Sequence, residues 1–504
     1  MATWNWAQAN PRATIRSVTL YDLVLRDGRV IDPESGLDGT RDVGITGAQV
    51  SAISTTPLDG ACVIDVAGLV VAPGFIDLHS HAQTLAGRRL QALDGVTAAL
   101  DLEAGRTPVE DAYAREASTG SPVHYGFSAS WAAARKRVLT GTVPDGGLGS
   151  GLAVLGETAW RAAVTAKELS RLLGLLSDDL AHGAIGIGLL LGYAPETSPD
   201  EYLAVARLAA AAGAPTFTHC RDLVELSPRA PVDGAEELVR AAAETGAHMH
   251  ACHVNSTSGR HIDRVLHLVA RCQAEGGRVT VEAYPYGASA TAIGAPFLSP
   301  ERLRERHLGA SAVTYLLTGE RLADDARLRQ LRESDPNGLV VVDFLDEGNT
   351  GDMALLRRSL GFDGAIVASD ALPLVPVTDR FDPEAWPLPA GAVTHPRSAG
   401  CFCRALRLWR QEGVRLPDAL SRCSLLPARV LQAACPAMRS MGRVQPGSAA
   451  DLVVFDADRV TDQATYADST RPSSGVRHLV VGGELVVRDG NLITTAFPGK
   501  PLRG

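Results

Sequence analysis

Short apolar stretches alternate with Ala-, Leu- and Arg-rich segments through the middle of the chain. The apolar stretches have the length and composition of buried strands, and segments such as Pro199–Ala212 and Gly234–Thr245 have a helical pattern. This alternation predicts βαβ units around a parallel sheet. The predicted strands are Leu69–Leu78, Thr97–Glu103, His124–Ser130, Gly183–Leu191, Ala214–His219, His248–His253, Val279–Tyr286 and Ala365–Asp370. Eight such units predict an α/β protein with a (β/α)8 barrel.

Both ends of the chain have a different pattern, made of short strand-like runs with turns. The runs are Tyr21–Ile31, which contains an Asp-Gly pair typical of a hairpin turn, Val43–Ser54, Asp451–Asp456 and Arg477–Val487. Strands at two distant ends most simply pair with each other. We therefore predict a small β-sandwich from residues 1–70 and 430–504, and a barrel from residues 71–429. Residues 287–364, between the last two barrel strands, are too long for a simple crossover and are predicted to be an insertion over the pocket.

Side chains that bind metals follow several predicted strands. His79 and His81 end the first strand one residue apart, so both leave it on the same face. His219 ends the fifth strand, His253 the sixth and Asp370 the eighth. Because the active site of such a barrel lies at the C-terminal ends of its strands, these side chains should meet. Imidazole and carboxylate are common zinc ligands, so the sequence predicts a metal site there.

Length, charge and cysteine content limit the classes of function. The 504 residues are 45% apolar, enough for one large and one smaller domain. The net charge of −9 argues against nucleic acid as a partner, because phosphate binding needs a basic face. No apolar run reaches the length of a membrane span and no signal-peptide core is present, which predicts a cytoplasmic protein without a membrane partner. Eight cysteines without a Cys-x-x-Cys pair predict reduced thiols.

Several motifs resemble the amidohydrolase superfamily. Pro73–His81 is the first of them, and the later histidines with Asp370 complete its pattern. Three further motifs, Ala368–Pro373, His395-Pro396-Arg397 and Gly442–Asp456, resemble the N-acyl-D-amino-acid deacylases within that superfamily. The similarity covers nearly the whole chain. It implies a metal-dependent hydrolase that removes an acyl group from an N-acyl-D-amino acid.

The predicted chemistry follows from the ligands. Bound zinc, as one ion or two, lowers the pKa of water from about 16 to about 7 and so supplies hydroxide at neutral pH. Asp370 is predicted to orient this water, to accept its proton during attack on the amide and to pass the proton to the leaving amine. Asp370 is thus expected to be both a metal ligand and the general acid/base.

A further ligand is needed to supply negative charge beside the metal. Many binuclear amidohydrolases use a carboxylated lysine, but no lysine of this chain lies at a predicted strand end. The deacylases use a cysteine at the end of the second strand, and Thr97–Glu103 has none. Alternation along this strand places Asp101 and Glu103 on one face. We predict Glu103 as a ligand, bridging if two metals bind, with Asp101 as the alternative.

The resemblance also implies substrate-binding residues. Arg397 matches the deacylase arginine that holds the α-carboxylate of the substrate. Asn255 replaces the lysine of deacylases for hydrophobic D-amino acids and resembles the N-acyl-D-glutamate branch. Ser130-Trp131 replaces their Gly-His, and Trp131 is expected to alter the pocket. Further candidates near strand ends are Arg221, Tyr193, Tyr284 and Tyr286.

The sequence is compatible with a second choice of histidine ligand and with other functions. His250 and His253 are separated by an odd number of residues, so only one should face the axis of a regular barrel strand, and we favour His253. The fold and ligands also suit a cyclic amidase of the hydantoinase or dihydroorotase kind, an amidohydrolase of a natural-product or peptide amide, or a ligand-binding barrel without catalysis. The expected partner is a small-molecule N-acyl amino acid, and the expected state is a monomer or small homo-oligomer.

Overall fold

Strands from both ends of the chain form one sheet. The structure is a computed structural model that describes residues 20–145, 155–228, 232–377, 381–382 and 384–504. With strands numbered in chain order, this sheet contains β1 (Tyr21–Asp32), β2 (Leu37–Thr46), β3 (Gln49–Ser54), β4 (Gly60–Asp65), β5 (Val70–Pro73), β20 (Leu452–Phe455), β21 (Val476–Val481), β22 (Glu484–Arg488) and β23 (Asn491–Leu492). β5 joins the two halves, because it runs parallel to β1 and antiparallel to β20. The predicted pairing of the two ends is confirmed, whereas the exact domain boundaries stay a prediction.

The predicted hairpin in Tyr21–Ile31 is wrong. The segment is part of the single strand β1, which has a bulge at Asp27-Gly28. Asp27 has a φ of 59°, and its backbone N–H donates to the Asp42 carboxylate at 2.9 Å. The Asp-Gly pair therefore accommodates an irregularity in the β1–β2 ladder instead of reversing the chain.

Eight parallel strands form the barrel and confirm the predicted fold class. They are β6 (Phe75–Asp77), β7 (Val96–Arg106), β8 (His124–Ser130), β9 (Ile187–Leu190), β10 (Pro215–His219), β11 (His248–Ala251), β12 (Val279–Ala283) and β17 (Ile366–Val367). Neighbouring strands pair in this order, and a parallel bridge between Ser80 and Ala371 closes the barrel between the first and last strands. The backbone N–H of His81 also donates to the Ala371 oxygen at 2.8 Å. The closure thus brings His81 close to the segment that carries Asp370.

The sequence predicts one strand over Leu69–Leu78. In the structure this apolar run is divided between two sheets. Its first part is β5 in the terminal sheet, and its second part is β6 in the barrel. Gly74 lies between them, where a Cβ atom would be 2.2 Å from Cγ2 of Thr97. A side chain cannot fit at that distance, so a glycine permits the close approach of the two segments.

Helices follow the barrel strands. They are α1 (Leu85–Leu93), α2 (Val109–Thr119), α3 (Trp131–Thr140), α4 (Ala166–Ala181), α5 (Pro199–Ala211), α6 (Gly234–Thr245), α7 (Val254–Ser258), α8 (Ile262–Ala274), α11 (Thr350–Gly361), α12 (Arg397–Gln411), α13 (Leu416–Cys423) and α14 (Leu425–Leu431). Side chains cap several of them, and Ser198 and Asp233 accept backbone N–H groups at the starts of α5 and α6. Within the described ranges, no helix has the length and apolar character needed to span a bilayer.

Residues 288–343 of the long segment before β17 form a small sheet with two helices. They contain β13 (Ala288–Ala292), α9 (Pro300–Glu305), β14 (Val313–Tyr315), β15 (Glu320–Arg321), α10 (Asp325–Ser334) and β16 (Leu339–Asp343). The two short strands β18 (Val375–Pro376) and β19 (Ala392–Val393) pair separately. Ser289, Thr291, Phe297, Arg306 and Leu339 from the segment line a cavity that is also lined by the barrel histidines. The insertion therefore contributes one wall of that cavity.

Candidate metal centre

His79, His81 and Asp370 meet where the barrel closes. The two histidines follow β6, and their Nε2 atoms are 3.0 Å apart. Asp370 Oδ1 lies 3.4 Å from His79 Nε2 and 3.6 Å from His81 Nε2. All three residues are buried, and their ligand atoms are mutually close enough to hold one metal ion.

Glu103 connects this trio to the two remaining predicted histidine ligands. Its Oε2 lies 3.2 Å from His79 Nε2 and 3.4 Å from His81 Nε2. Its Oε1 lies 3.0 Å from His219 Nδ1 and 2.8 Å from His253 Nε2. Each carboxylate oxygen thus faces a different pair of histidines.

The predicted ligands are therefore together, and the spacing around His79 suits a metal, whereas Glu103 Oε1 lies at hydrogen-bond distance from His219 and His253. The donor atoms around His79 are between 3.0 and 3.6 Å apart. Ligands bonded to zinc at about 2.0–2.2 Å in a tetrahedron have roughly this separation. Asp101, the alternative to Glu103, instead lies 3.0 Å from Nδ1 of His81 and pairs with Arg106 at 2.7 Å. It holds the rear nitrogen of a ligand, as carboxylates around metal-bound histidines commonly do.

Two of the site residues have left-handed backbone conformations. His253 has a φ of 31° and Asp370 a φ of 48°, values that are uncommon for residues other than glycine. β11 ends at Ala251, so His253 lies beyond the regular strand and the turn directs it to Glu103. The expectation that only one of His250 and His253 can face inward fails for this reason, because His250 on β11 is also buried and bonded to Glu282.

The electrostatics of the site favour bound positive charge. Burial raises the pKa of Glu103, but His79, His253 and His219 outweigh this effect and hold the pKa well below its usual value. Burial lowers the pKa of His79, but Glu103, Asp370 and Glu282 raise it well above the usual value. The carboxylates thus keep a proton on His79, or bind a metal ion in its place.

Arg397, predicted to hold the substrate carboxylate, is buried and contacts Asp370 directly. Its Nη2 lies 2.7 Å from Asp370 Oδ2, and its Nε donates to the Asp370 backbone oxygen at 2.6 Å. Its Nη1 has no hydrogen-bond partner among the described residues. The ring of Tyr284 lies 4.6 Å from the guanidinium carbon. Tyr284 thus supports Arg397, while Asn255 donates to the Tyr284 backbone oxygen at 3.0 Å.

The other tyrosine candidates lie in different environments. Tyr193 lines the cavity, with its ring 4.8 Å from the ring of His219 and its hydroxyl 2.6 Å from Thr291 Oγ1. Tyr286 is buried outside the cavity, where the Arg404 guanidinium lies 4.2 Å from its ring centre. Only Tyr193 of these two is therefore placed beside the metal ligands.

Arg221 and Trp131 have structural contacts away from the histidine-lined cavity. Arg221 pairs with Glu237 at 2.7 Å and donates to the backbone oxygens of Pro195 and Thr197. Trp131 is buried, and its Nε1 donates to Glu201 at 2.9 Å. The expectation that Trp131 alters the pocket is wrong, because its ring points into the helical layer.

Two residues that lie at the candidate site were not predicted from the sequence. Arg306 lines the cavity from the insertion, with its guanidinium 5.4 Å from the Phe297 ring and paired with Asp222. No motif marks it, because an insertion has no regular period from which its position could be inferred. Glu282 near the end of β12 bonds His79 at 2.5 Å. Its signal was present in the sequence, as an acidic residue near the end of the seventh barrel strand.

The chain is similar to known proteins over most of its length. The family described as the amidohydrolase family matches residues 62–297. The N-acyl-D-glutamate deacylase of Alcaligenes xylosoxydans xylosoxydans is 30% identical over 497 residues, which cover 92% of this chain and 93% of the relative.

Solved structures share the fold over nearly the whole chain. A D-aminoacylase superimposes with a TM-score of 0.75 at 23% identity, over 96% of this chain and 100% of that one. The N-acyl-D-glutamate deacylase from Bordetella Bronchiseptica, solved with zinc and a phosphonate inhibitor that mimics the tetrahedral intermediate, has a TM-score of 0.73 at 23% identity with the same coverage. Fold, site and full-length sequence similarity together lead to one conclusion: the chain belongs to the amidohydrolase family and is a hydrolase of linear amide bonds.

Proposed function

We propose that this chain is a zinc-dependent deacylase of N-acyl-D-amino acids. The observation that carries the proposal is the carboxylate of Glu103, whose two oxygens face two different pairs of histidines. The N-acyl-D-glutamate deacylase that is 30% identical supports the substrate class. One or two zinc ions would be held by His79, His81, Glu103, His219, His253 and Asp370.

Asp370 carries the proton transfers in this proposal. Zinc, when bound, supplies a nucleophile from water at neutral pH and polarises the amide carbonyl. Asp370 Oδ1 faces His79 and His81, so it is placed to accept the proton of the attacking water. The same oxygen then delivers this proton to the nitrogen of the departing amino acid, which leaves as a neutral amine.

Arg397 and Tyr193 position Asp370 and the substrate. Arg397 binds Asp370 Oδ2 and so leaves Oδ1 directed at the ligands. The family resemblance implies that Arg397 also binds the α-carboxylate of the substrate; its unpaired Nη1 is the free donor for this contact, although the side chain lies buried behind Asp370 and does not line the cavity. Tyr193 lines the cavity beside His219, and burial raises the pKa of its hydroxyl. It therefore stays protonated and is the donor we assign to the carbonyl oxygen as negative charge develops there.

The D configuration and an acidic side chain are the finer parts of the proposal. Asn255 favours the N-acyl-D-glutamate branch, and Arg306 adds a guanidinium to the cavity wall. The side chain of Arg306 is about one-fifth exposed, at 18%, so it remains accessible to a substrate carboxylate.

A panel of paired substrates tests the proposal. Metal-stripped protein, with and without restored zinc, is assayed against the N-acetyl derivatives of D- and L-glutamate, glutamine and leucine. Zinc-dependent hydrolysis of the D forms alone is the expected result. Absence of hydrolysis by zinc-loaded protein, or equal rates for D and L forms, would contradict the proposal. Ring opening of a hydantoin or dihydroorotate without any linear hydrolysis would favour a cyclic amidase instead.

A further inference from the structure

A second carboxylate lies behind the metal ligands. Glu282 is on β12, and its Oε1 is 2.5 Å from Nδ1 of His79, the ring nitrogen that faces away from Glu103 and Asp370. Its Oε2 is 3.0 Å from His250 Nε2. His250 Nδ1 in turn lies 2.8 Å from the Thr280 hydroxyl. His79, Glu282 and His250 are each at most 1% exposed, so this chain of polar groups is shielded from water.

Glu282 also contacts the other half of the centre. The backbone N–H of His253 donates to Glu282 Oε1 at 3.3 Å. His253 has a left-handed backbone and binds Glu103 Oε1. One oxygen of Glu282 therefore contacts a ligand from each of the two histidine pairs that Glu103 joins.

The distance between Glu282 and His79 is shorter than the distances between the donor atoms around His79 Nε2. Cys252 lies close to His79 and Glu282, and the three could be taken for another metal site. However, an ion with bonds of about 2.0–2.1 Å would separate its tetrahedral ligands by roughly 3.3 Å. The distance of 2.5 Å between His79 Nδ1 and Glu282 is instead that of a short charge-assisted hydrogen bond. The separation therefore fits a hydrogen bond between these two atoms and not a metal ion bound by both.

We propose that Glu282 is the positioning residue of the metal centre. By accepting the Nδ1 proton of His79, it fixes the tautomer that directs the Nε2 lone pair at the metal position, and its negative charge makes that nitrogen a stronger ligand. Through the His253 backbone it also fixes the turn that presents the second ligand. His250, bonded to Thr280 on its other nitrogen, donates to Glu282 and holds the carboxylate in place. This inference rests on the metal site of the proposed function, but not on its substrate.

Zinc affinity, measured by competition with a chelator, tests the role of Glu282. We expect Glu282→Gln to weaken zinc binding by about 10–100-fold, because the amide keeps the side-chain shape but loses the charge. We expect His250→Gln to weaken zinc binding in the same direction by a smaller factor. The visible absorption spectrum of the cobalt-substituted protein should shift in Glu282→Gln, since the geometry around the metal changes. A substitution that only lowers the stability of the fold would not shift the cobalt spectrum of the folded protein.

Glu201→Gln is the matched control. Glu201 is equally buried, accepts from Trp131 and pairs with Arg135, with no contact to a metal ligand. Its removal should lower the thermal unfolding temperature while zinc affinity stays at the wild-type value. Zinc affinities within about 2-fold of wild type in both Glu282→Gln and His250→Gln, or an equal loss in Glu201→Gln, would overturn the inference. Wild-type protein that binds zinc but hydrolyses no N-acyl-D-amino acid would overturn the proposed substrate. The zinc affinities of the Glu282 variant would still test the role of Glu282.

Discussion

Arg397 holds Asp370 at two points, with Nη2 2.7 Å from Oδ2 and Nε donating to the backbone oxygen at 2.6 Å. These contacts leave Oδ1 directed towards His79 and His81. The two oxygens of one carboxylate are thereby separated, with Oδ2 bound to the guanidinium and Oδ1 available for proton transfer. The left-handed backbone at Asp370 is the conformation in which both contacts are made.

Asp370→Asn should remove proton transfer while keeping a side chain of the same shape. We expect kcat to fall by about 10²–10⁴-fold, the usual contribution of general acid/base catalysis. At saturating zinc, the zinc content should change little, because the other ligands remain. The measurement is kcat for N-acetyl-D-glutamate together with metal analysis. Asp179→Asn is the control, since Asp179 is buried and its carboxylate accepts from the Thr107 hydroxyl and the Val109 N–H, neither of which belongs to the metal centre. A kcat for Asp370→Asn within 10-fold of wild type would contradict the assigned role.

Arg306 should determine the preference for an acidic side chain. It is the one arginine or lysine that lines the histidine cavity in the described part of the chain. A charged hydrogen bond contributes about 1.5–3 kcal/mol, so Arg306→Leu should lower the ratio of kcat/KM for N-acetyl-D-glutamate over N-acetyl-D-glutamine by about 10–100-fold. Arg329→Leu, on the outer helix of the same insertion, should leave this ratio unchanged. If Arg306→Leu leaves this ratio unchanged, Arg306 does not bind the side chain of the substrate.

The sequence was sufficient to predict the barrel and to predict which side chains meet at its rim, for a physical reason. Parallel strands end at one rim, so residues as distant as His79 and Asp370 are placed together once the strands are identified. Local exceptions could not be predicted. The passage of the chain at Gly74 depends on its contact with Thr97, which is known only when both sheets are in place. Arg306 lies on an insertion whose fold does not follow the βαβ pattern.

The same contact at Gly74 gives a prediction for stability. Gly74→Ala would place a methyl group 2.2 Å from Thr97 Cγ2, and we expect the free energy of unfolding to fall by about 1–3 kcal/mol. Adding Thr97→Ala should restore part of this loss, because it removes the clashing group. Gly174→Ala is the control: Gly174 is within α4 with open space around its Cβ position, so this change should stabilise by up to about 1 kcal/mol. Denaturant unfolding of the three variants and of the wild-type protein measures these differences. Equal effects of Gly74→Ala and Gly174→Ala would contradict the close-contact explanation.

We propose that Glu103 joins two zinc positions when both are occupied. Anomalous scattering at the zinc absorption edge, from crystals equilibrated with zinc, tests it most directly. We predict density peaks on both sides of the Glu103 carboxylate, one beside His79 and His81 and the other beside His219 and His253. In Glu103→Ala crystals at least one peak should be lost. Zinc peaks that lie away from Glu103, or no peak among these histidines, would contradict the account.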